Sequence, residues 1–255
     1  MKIASFNANG IRARREVILK WLKRHNPDIL GIQETKVQNQ DFPLQPFTAA
    51  GYHCSFTGEK SYNGVAVLSR EKPEDVRVGL GEQEPEEARL ITATIGGIHV
   101  ANAYVPQGQE PSSEKFKYKI SWLGRLKIFF ETHFNHRDPL ILLGDLNVAP
   151  QPIDVYDPEK LLGSVGYHPE EHRALQNVKD WGFEDVYRRH KPEEKAYTFW
   201  DYRIPQAARR GLGWRIDHIW ATRCMAERSA DAWIDTETRL GPRPSDHTFI
   251  VAEFE

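Results

Sequence analysis

"PLILLGDLNVAP", residues 139–150, is the stretch whose reading decides the fold. Its centre, "ILLG", is apolar at every position, so a strand built from it has no face to give to water. "DILGI", residues 28–32, repeats the pattern. Such strands need helices on one side of their sheet and an equally apolar layer on the other. Two sheets packed on each other, with helices outside, satisfy both demands. The same stretch then turns polar: Asp145 and Asn147, two apart, share a face if the chain stays extended. They are also turn formers leading into Pro150, and at this point either reading holds.

Short β-type runs recur along the chain. They are "KIASFNA", "DILGIQE", "GVAVLSR", "ARLITATI", "GIHVANAYVP", "PLILLGDLNV", "RIDHIWAT", "DAWIDTE" and "DHTFIVAEF". Helical patterns lie between them. "REVILKWLKRHN" places Ile18, Trp21 and Leu22 on one face, and the segment from Ser113 to Phe134 places Phe116, Ile120, Leu123 and Phe130 on one face after a Ser-Glu start resembling a cap. "PEEHRALQNVKDWG" begins with Pro169, carries acids in its first turn and stops at Gly182. No Pro, Gly or Ser linker and no repeat divides the chain, so residues 1–255 read as one α/β domain.

The composition, 40% hydrophobic over 255 residues, is that of an ordinary globular chain able to bury a sizeable core. "MKIASFNANG" has no basic segment followed by an apolar one, and no apolar run is long enough to span a bilayer, so the expectation is neither secretion nor a membrane. Cys54 and Cys224 match no metal spacing and suit a reducing compartment. A formal net charge of −2 supplies no global attraction to a polyanion. Local basic clusters exist at Arg12, Arg14 and Arg15, at Lys115, Lys117 and Lys119, at Arg188 to Lys191, and at Arg203, Arg209, Arg210 and Arg215. Most such clusters are solvated helix faces or loops.

Polar residues gather where the strands end. "SFNANG" sets Asn7 and Asn9 two apart, and "GIQETK" ends a strand at Gln33 and Glu34. "GWRIDHIW" puts Asp217 amid apolar neighbours, with Arg215 as a possible structural partner on the same face. Asp246 and His247, after the turn formers Pro244 and Ser245, open the final strand. Both can point inward only from a loop, because neighbours in a strand face opposite ways. Glu34 and Asn7 taken singly read as solvated or turn residues, but one site explains all of these positions together. Oxygen donors of this kind suit a hard divalent cation such as Mg²⁺, and the absence of clustered Cys or His argues against zinc. An imidazole charged through a carboxylate partner can stabilise a phosphorane-like transition state. The combination points to phosphodiester hydrolysis.

"SFNANG", "GIQETK", "YNGVAVLSR", "YVPQG", "LLGDLNVAP", "TFWDYR", "GWRIDHIW" and "RPSDHTFI", in this order over nearly the whole chain, resemble the exonuclease III family of abasic-site endonucleases, in the endonuclease/exonuclease/phosphatase superfamily. The resemblance implies a four-layer sandwich of two packed mixed β-sheets flanked by helices. It implies Mg²⁺ dependence with Mn²⁺ as a substitute, and action on double-stranded DNA at abasic sites and 3′ ends in base-excision repair. It implies Glu34 as principal metal ligand with Asn7 and Asp246 near it, Asp145 activating or orienting water with Asn147 as helper, and His247 on the scissile phosphate braced by Asp217. Tyr104 falls near the phosphate or metal. Gln107, with Lys115 and Arg203, would contact DNA. Phe199, Trp214 and Ile216 would wall a pocket for a flipped-out abasic sugar, bordered by "GSVGYH" at 163–168, where Gly166 is permissive and His168 bulky. Core packing is the ordinary use of such apolar residues. The expected setting is a monomer in a bacterial cytoplasm, associated with the nucleoid. The competing reading is a catalytically weak nucleic-acid-binding relative, but every matched position carries a competent residue.

Overall fold

The computed structural model describes residues 1–81 and 87–255. In chain order its strands are β1 (Lys2–Asn7), β2 (Ile29–Gln33), β3 (His53–Thr57), β4 (Val65–Ser69), β5 (Glu74–Val78), β6 (Leu90–Ile95), β7 (Ile98–Tyr104), β8 (Leu140–Asp145), β9 (Phe183–Asp185), β10 (Asp217–Thr222), β11 (Ser229–Asp235) and β12 (Phe249–Phe254). The helices are α1 (Ile11–His25), α2 (Leu44–Ala49), α3 (Glu114–His133), α4 (Pro158–Leu161), α5 (Pro169–Lys179), α6 (Val186–His190), α7 (Arg223–Ala226) and α8 (Thr236–Leu240).

Two six-stranded sheets form, ordered β11-β12-β1-β2-β4-β3 and β5-β6-β7-β8-β10-β9. Their pairing is the same: a central parallel pair, β1 with β2 and β7 with β8, flanked on both sides by antiparallel strands. A helix joins each parallel pair, α1 in the first sheet and α3 in the second, because parallel strands cannot be closed by a hairpin.

The strands apolar on both faces do what their pattern requires. Along β8, Ile141 and Leu143 face the core between the sheets, while Leu140 and Leu142 pack beneath Trp122, Leu126 and Phe130 of α3. Along β1, Ile3 enters the inter-sheet core and Ala4 and Phe6 face Ile18, Trp21 and Leu22 of α1. Burying one such large side chain contributes about 1.5–3 kcal/mol. The sheets approach so closely at Gly31 that an added Cβ would lie 2.1 Å from Leu143 Cδ1. Polar staples hold their register: Asn102 of the second sheet donates to the Ile32 and Ala66 carbonyls of the first at 3.0 and 2.8 Å. Gln33 donates back to Asn102 Oδ1 at 2.6 Å.

The helices follow their apolar spacing with one shift. Ser113 caps α3 by accepting from the Phe116 N–H, as its sequence suggests. On the buried stripe, however, Lys119 takes the place expected of Ile120, which is half-buried. Among the described residues no helix is long and apolar enough to cross a membrane.

Candidate active site

Strand register builds the floor of the site. Tyr104 pairs with Asp145 across β7 and β8, and Asp145 pairs with Asp217 across β8 and β10, so the three stand in one row at one end of the second sheet. Two carboxylates directly opposite one another repel. His247, arriving from the first sheet in the loop before β12, answers that repulsion: its Nδ1 donates to Asp217 Oδ2 at 2.8 Å, and its Nε2 lies 3.8 Å from Asp145 Oδ2. Asp246 and His247 both line the same cavity and both precede β12.

Two strand ends are finished by the same turn. Asn7 closes β1 and accepts the Asn9 N–H on its Oδ1 at 2.9 Å; Asp145 closes β8 and accepts the Asn147 N–H on its Oδ1 at 2.9 Å. The residue two on is left-handed in each case, φ 42° at Asn9 and 53° at Asn147. Asparagine tolerates that conformation. The shared face expected from an extended chain therefore arises from a turn, not a strand. Asn7 Nδ2 donates to Asp145 Oδ2 at 2.9 Å, and Asn147 Nδ2 to the Val105 carbonyl at 2.8 Å.

Glu34 has less freedom to be where it is. It and Lys36 take φ of 55° and 54°, which costs a side chain with a Cβ about 1–3 kcal/mol each. The backbone is held there by Gly10 N–H on the Glu34 carbonyl, and by Thr35 and Lys36 N–H on the Gly64 and Asn63 carbonyls. Gly64 is required, since a Cβ there would sit 2.0 Å from Thr35 Oγ1. Lys36 Nζ bridges Glu34 Oε1 at 3.0 Å and Asn9 Oδ1 at 2.5 Å, and Asn9 Nδ2 donates to Asp246 Oδ1 at 2.9 Å.

The electrostatics follow from burial against charge. Burial pushes the Asp145 carboxyl up to about 7, although His247 pulls it down. For His247, burial works against the imidazolium, but Asp217 and then Asp145 outweigh it and carry the pKa up to about 10. The Tyr104 hydroxyl is raised well above its ordinary value, by burial first and then by the charges of Glu34 and Asp145, so it stays a donor.

A cavity of about 910 Å³ opens over this floor. Asn7, Glu34, Tyr104, Gln107, Asp145, Asn147, Asp246 and His247 are among the residues that line it, as are Gly166, Phe199, Trp214 and Ile216. Phe199 holds the wall to the floor: its ring lies 4.9 Å from that of His247, and its backbone bridges both Trp214 and His247. The neighbouring Thr198 Oγ1 accepts the N–H groups of Ile216 and Asp217, both at 3.1 Å. An added Cβ at Gly166 would stand 3.3 Å from the Trp214 ring. His168 is turned away, capping α5 and resting edge-on to Phe116 at 5.0 Å.

One expectation needs correction, and two further residues stand apart from the floor. Arg215 is not the partner of Asp217; its guanidinium is taken by Asp154 and Asp185, with Nε 2.7 Å from Asp154 and an Nη 2.8 Å from Asp185. Lys115 does not reach the cavity: it is exposed and lines an adjoining groove of about 360 Å³ with Tyr62, Arg89 and Gln107. Arg203 lines the cavity but spends its fork on Asp201. Asn9, Lys36 and Thr198 were missed as site residues. Asn9 carried a signal, the spacing it shares with Asn7; Lys36 and Thr198 carried none.

Asp145, Asp217 and His247 bring donor atoms within 4.8 Å of one another, a spacing that can hold a metal ion. The imidazole, however, already commits its Nδ1 proton to Asp217, which leaves it one nitrogen to turn toward an ion. Glu34, Asn7 and Asp246 offer an all-oxygen set on the same cavity, which fits a hard cation better.

The model of the Endonuclease/Exonuclease/phosphatase family matches residues 4–247. The chain is 33% identical to an exodeoxyribonuclease III of Haemophilus influenzae, over the full length of both. Among solved structures, an AP endonuclease from Archaeoglobus fulgidus superposes with a TM-score of 0.97 at 47% identity, covering 100% of this chain and 99% of that one. The Neisseria 3′ phosphatase NExo, bound to a product DNA hairpin, superposes with a TM-score of 0.95 at 40% identity and the same coverage. The chain belongs to the exodeoxyribonuclease III and AP endonuclease group of that family. It is a phosphodiester hydrolase of the nuclease type.

Proposed function

We propose that this chain hydrolyses double-stranded DNA on the 5′ side of abasic sites and clears blocking groups and nucleotides from 3′ ends, as a monomer working where bacterial chromosomal DNA lies. One observation carries the reading: the row Tyr104, Asp145, Asp217, closed by His247, sets Tyr104, Asp145 and His247 in the lining of a cavity that the apolar Phe199, Trp214 and Ile216 also line.

Asp145, with a carboxyl poised near neutrality and both oxygens held by N–H donors, orients a water and takes its proton. The water oxygen bonds to phosphorus as the bond to the 3′-oxygen breaks. His247, protonated and braced by Asp217, holds a nonbridging oxygen, and the Tyr104 hydroxyl donates beside it. Glu34, Asn7 and Asp246 would hold a divalent cation, Mg²⁺ by their chemistry or Mn²⁺ in its place, whose charge neutralises the phosphate and the departing 3′-oxygen. Asn147 fixes the Asp145 carboxylate by its N–H. Phe199, Trp214 and Ile216 receive the sugar that has lost its base. Extruding that sugar costs less than extruding a paired nucleotide, and Gly166 leaves it room. Gln107, Lys115 and Arg203 lie where flanking phosphates would pass, positioning the duplex without reading sequence.

The test uses two end-labelled duplexes, one with a central abasic analogue and one intact, each incubated with Mg²⁺ or with EDTA. Incision at the analogue that requires metal supports the reading, and a ladder from the intact 3′ end assigns exonuclease activity. Cleavage of neither duplex, with Mg²⁺ or Mn²⁺, replaces it with the nucleic-acid-binding relative.

A further inference from the structure

Lys119 is the one lysine of its run that leaves the surface. Lys115 and Lys117 are exposed, whereas Lys119 of α3 and Glu171 of α5 are each 0% exposed and paired with one another. A buried ion pair is a poor means of stabilising a core, since apolar residues of similar size commonly serve as well. What the pair bonds to is therefore informative.

Lys119 Nζ donates to Glu171 Oε1, to the Asn147 carbonyl at 2.7 Å and to the Gln107 carbonyl at 3.2 Å. Its three protons are all used. Glu171 Oε2 accepts the N–H of Gly166 at 2.7 Å and of His168 at 3.2 Å. Every bond that leaves the pair ends on the backbone of a segment bordering the cavity. Asn147 has other anchors, to Asp145 and Val105; the amides of Gly166 and His168 rest on Glu171. Burial depresses the Lys119 pKa, but Glu171 and Asp145 oppose it.

Building on the function proposed above, we infer that Lys119 and Glu171 are positioning residues: a clamp behind the cavity that sets the Gly166 wall against Trp214 and so decides whether an abasic sugar is seated. Glu171 fixes the wall, and Lys119 holds Glu171 in register with the loops that carry Gln107 and Asn147. Neither touches substrate.

The chemistry of two substrates separates this role from a general structural one. Incision beside an abasic site places a sugar in the pocket. Removal of a 3′-terminal phosphate uses the same floor, but nothing lies beyond the scissile phosphorus to fill the pocket. The measurement is kcat/KM on an abasic duplex and on a 3′-phosphate duplex, with folding checked by circular dichroism. K119M/E171M should lose roughly tenfold to a hundredfold on the abasic duplex, mainly through KM, while staying within about threefold on the 3′-phosphate duplex. K119M/E171Q keeps an acceptor oxygen for the Gly166 and His168 amides and should restore most of the ratio. If K119M/E171M does not fold, E171Q alone carries the test. Its single oxygen must then serve Lys119, Gly166 and His168 together, so its ratio should fall below that of K119M/E171Q. An unchanged ratio, or equal losses on both duplexes, overturns the clamp. A wild-type protein inactive on both duplexes overturns the function on which the clamp rests, and the clamp with it.

Discussion

Two of the buried charge clusters among the described residues are built on opposite terms. In one, Arg215 and Arg188 meet Asp154 and Asp185, two guanidinium groups on two carboxylates. Arg215 Nη1 donates to His218 Nδ1 at 3.1 Å, which leaves the Nε2 proton of His218 to the Val148 carbonyl at 3.0 Å. Burial alone would push Asp154 and Asp185 up; the guanidinium of Arg215 outweighs it and holds both carboxyls low. In the other cluster, Asp145 and Asp217 share one imidazolium, Asp145 is pushed up, and Asp217 Oδ1 is buried without a partner. Both clusters are nearly inaccessible to water, so burial does not tell scaffold from site. What differs is whether the charges are satisfied. The first cluster positions Ile216 and Val148 beside the cavity and balances two guanidinium charges against two carboxylates, with the neutralised fork of Arg188 leaving its Nε without a partner, whereas the second holds an excess of negative charge that a phosphate-bound cation or a migrating proton would relieve.

The comparison breaks most visibly at Arg215. Arg215→Met leaves Asp154 and Asp185 buried without their main partner, a loss of about 3–5 kcal/mol that should lower Tm by roughly 6–20 °C in a chain of this size. A shift of less than about 2 °C would show that the cluster is not the scaffold described here. Asp145→Asn and His247→Asn should do the reverse. Each lowers kcat on the abasic duplex by roughly a hundredfold or more, equivalent to about 2.7 kcal/mol of barrier, while Tm moves by only a few degrees. Near-native rates in either variant would remove that residue from the mechanism.

The sequence shows the interior and hides the edges. Strands covered on both faces, such as β2, β8 and β12, announce themselves by apolar runs. The missed strands, β3, β5 and β9, all lie at sheet edges, where one partner suffices and solvent takes a face. β5, "EDVRV", is exposed at every residue, and β9 is three residues long. The site was legible for the same reason as the core: Asp145, Asp217, Glu34 and Tyr104 stand where apolar runs stop. Its supports were not. Asp217 had a plausible partner two residues away in Arg215, but that guanidinium is claimed by residues 61 and 30 positions distant. Lys119 read as one of a solvated run, although position 119 falls on the helical stripe of Phe116 and Leu123, and that periodicity was the available sign of its burial.

Smaller effects sharpen the contrast between satisfied and unsatisfied charge. Glu34→Gln keeps the shape of the oxygen-donor set but removes its strongest ligand. The affinity for Mn²⁺, followed by electron paramagnetic resonance without substrate, should fall by about tenfold or more. Undiminished affinity would move the ion away from Glu34.

The smallest effect concerns acid. The carboxyls of Asp154 and Asp185 are held below their ordinary value in the folded protein, so the folded state gives up protons that the unfolded chain still binds. The resulting stabilisation is fully present above the unfolded value near 3.9 and is lost as pH falls from there toward the folded values. The Tm of the wild type should therefore drop steeply below about pH 4, a slope opposite in sign to the one that the raised Asp145 and His247 give as pH rises above that range. Asp185→Asn takes one of the two groups out of the titration and replaces a charged acceptor of Arg215 by a neutral one. Its Tm should lie below that of the wild type at about pH 5 and fall less steeply with acid from there, so the two curves converge as pH drops. Parallel curves would place the origin of acid sensitivity in the other carboxylates and leave the Arg215 cluster as packing alone.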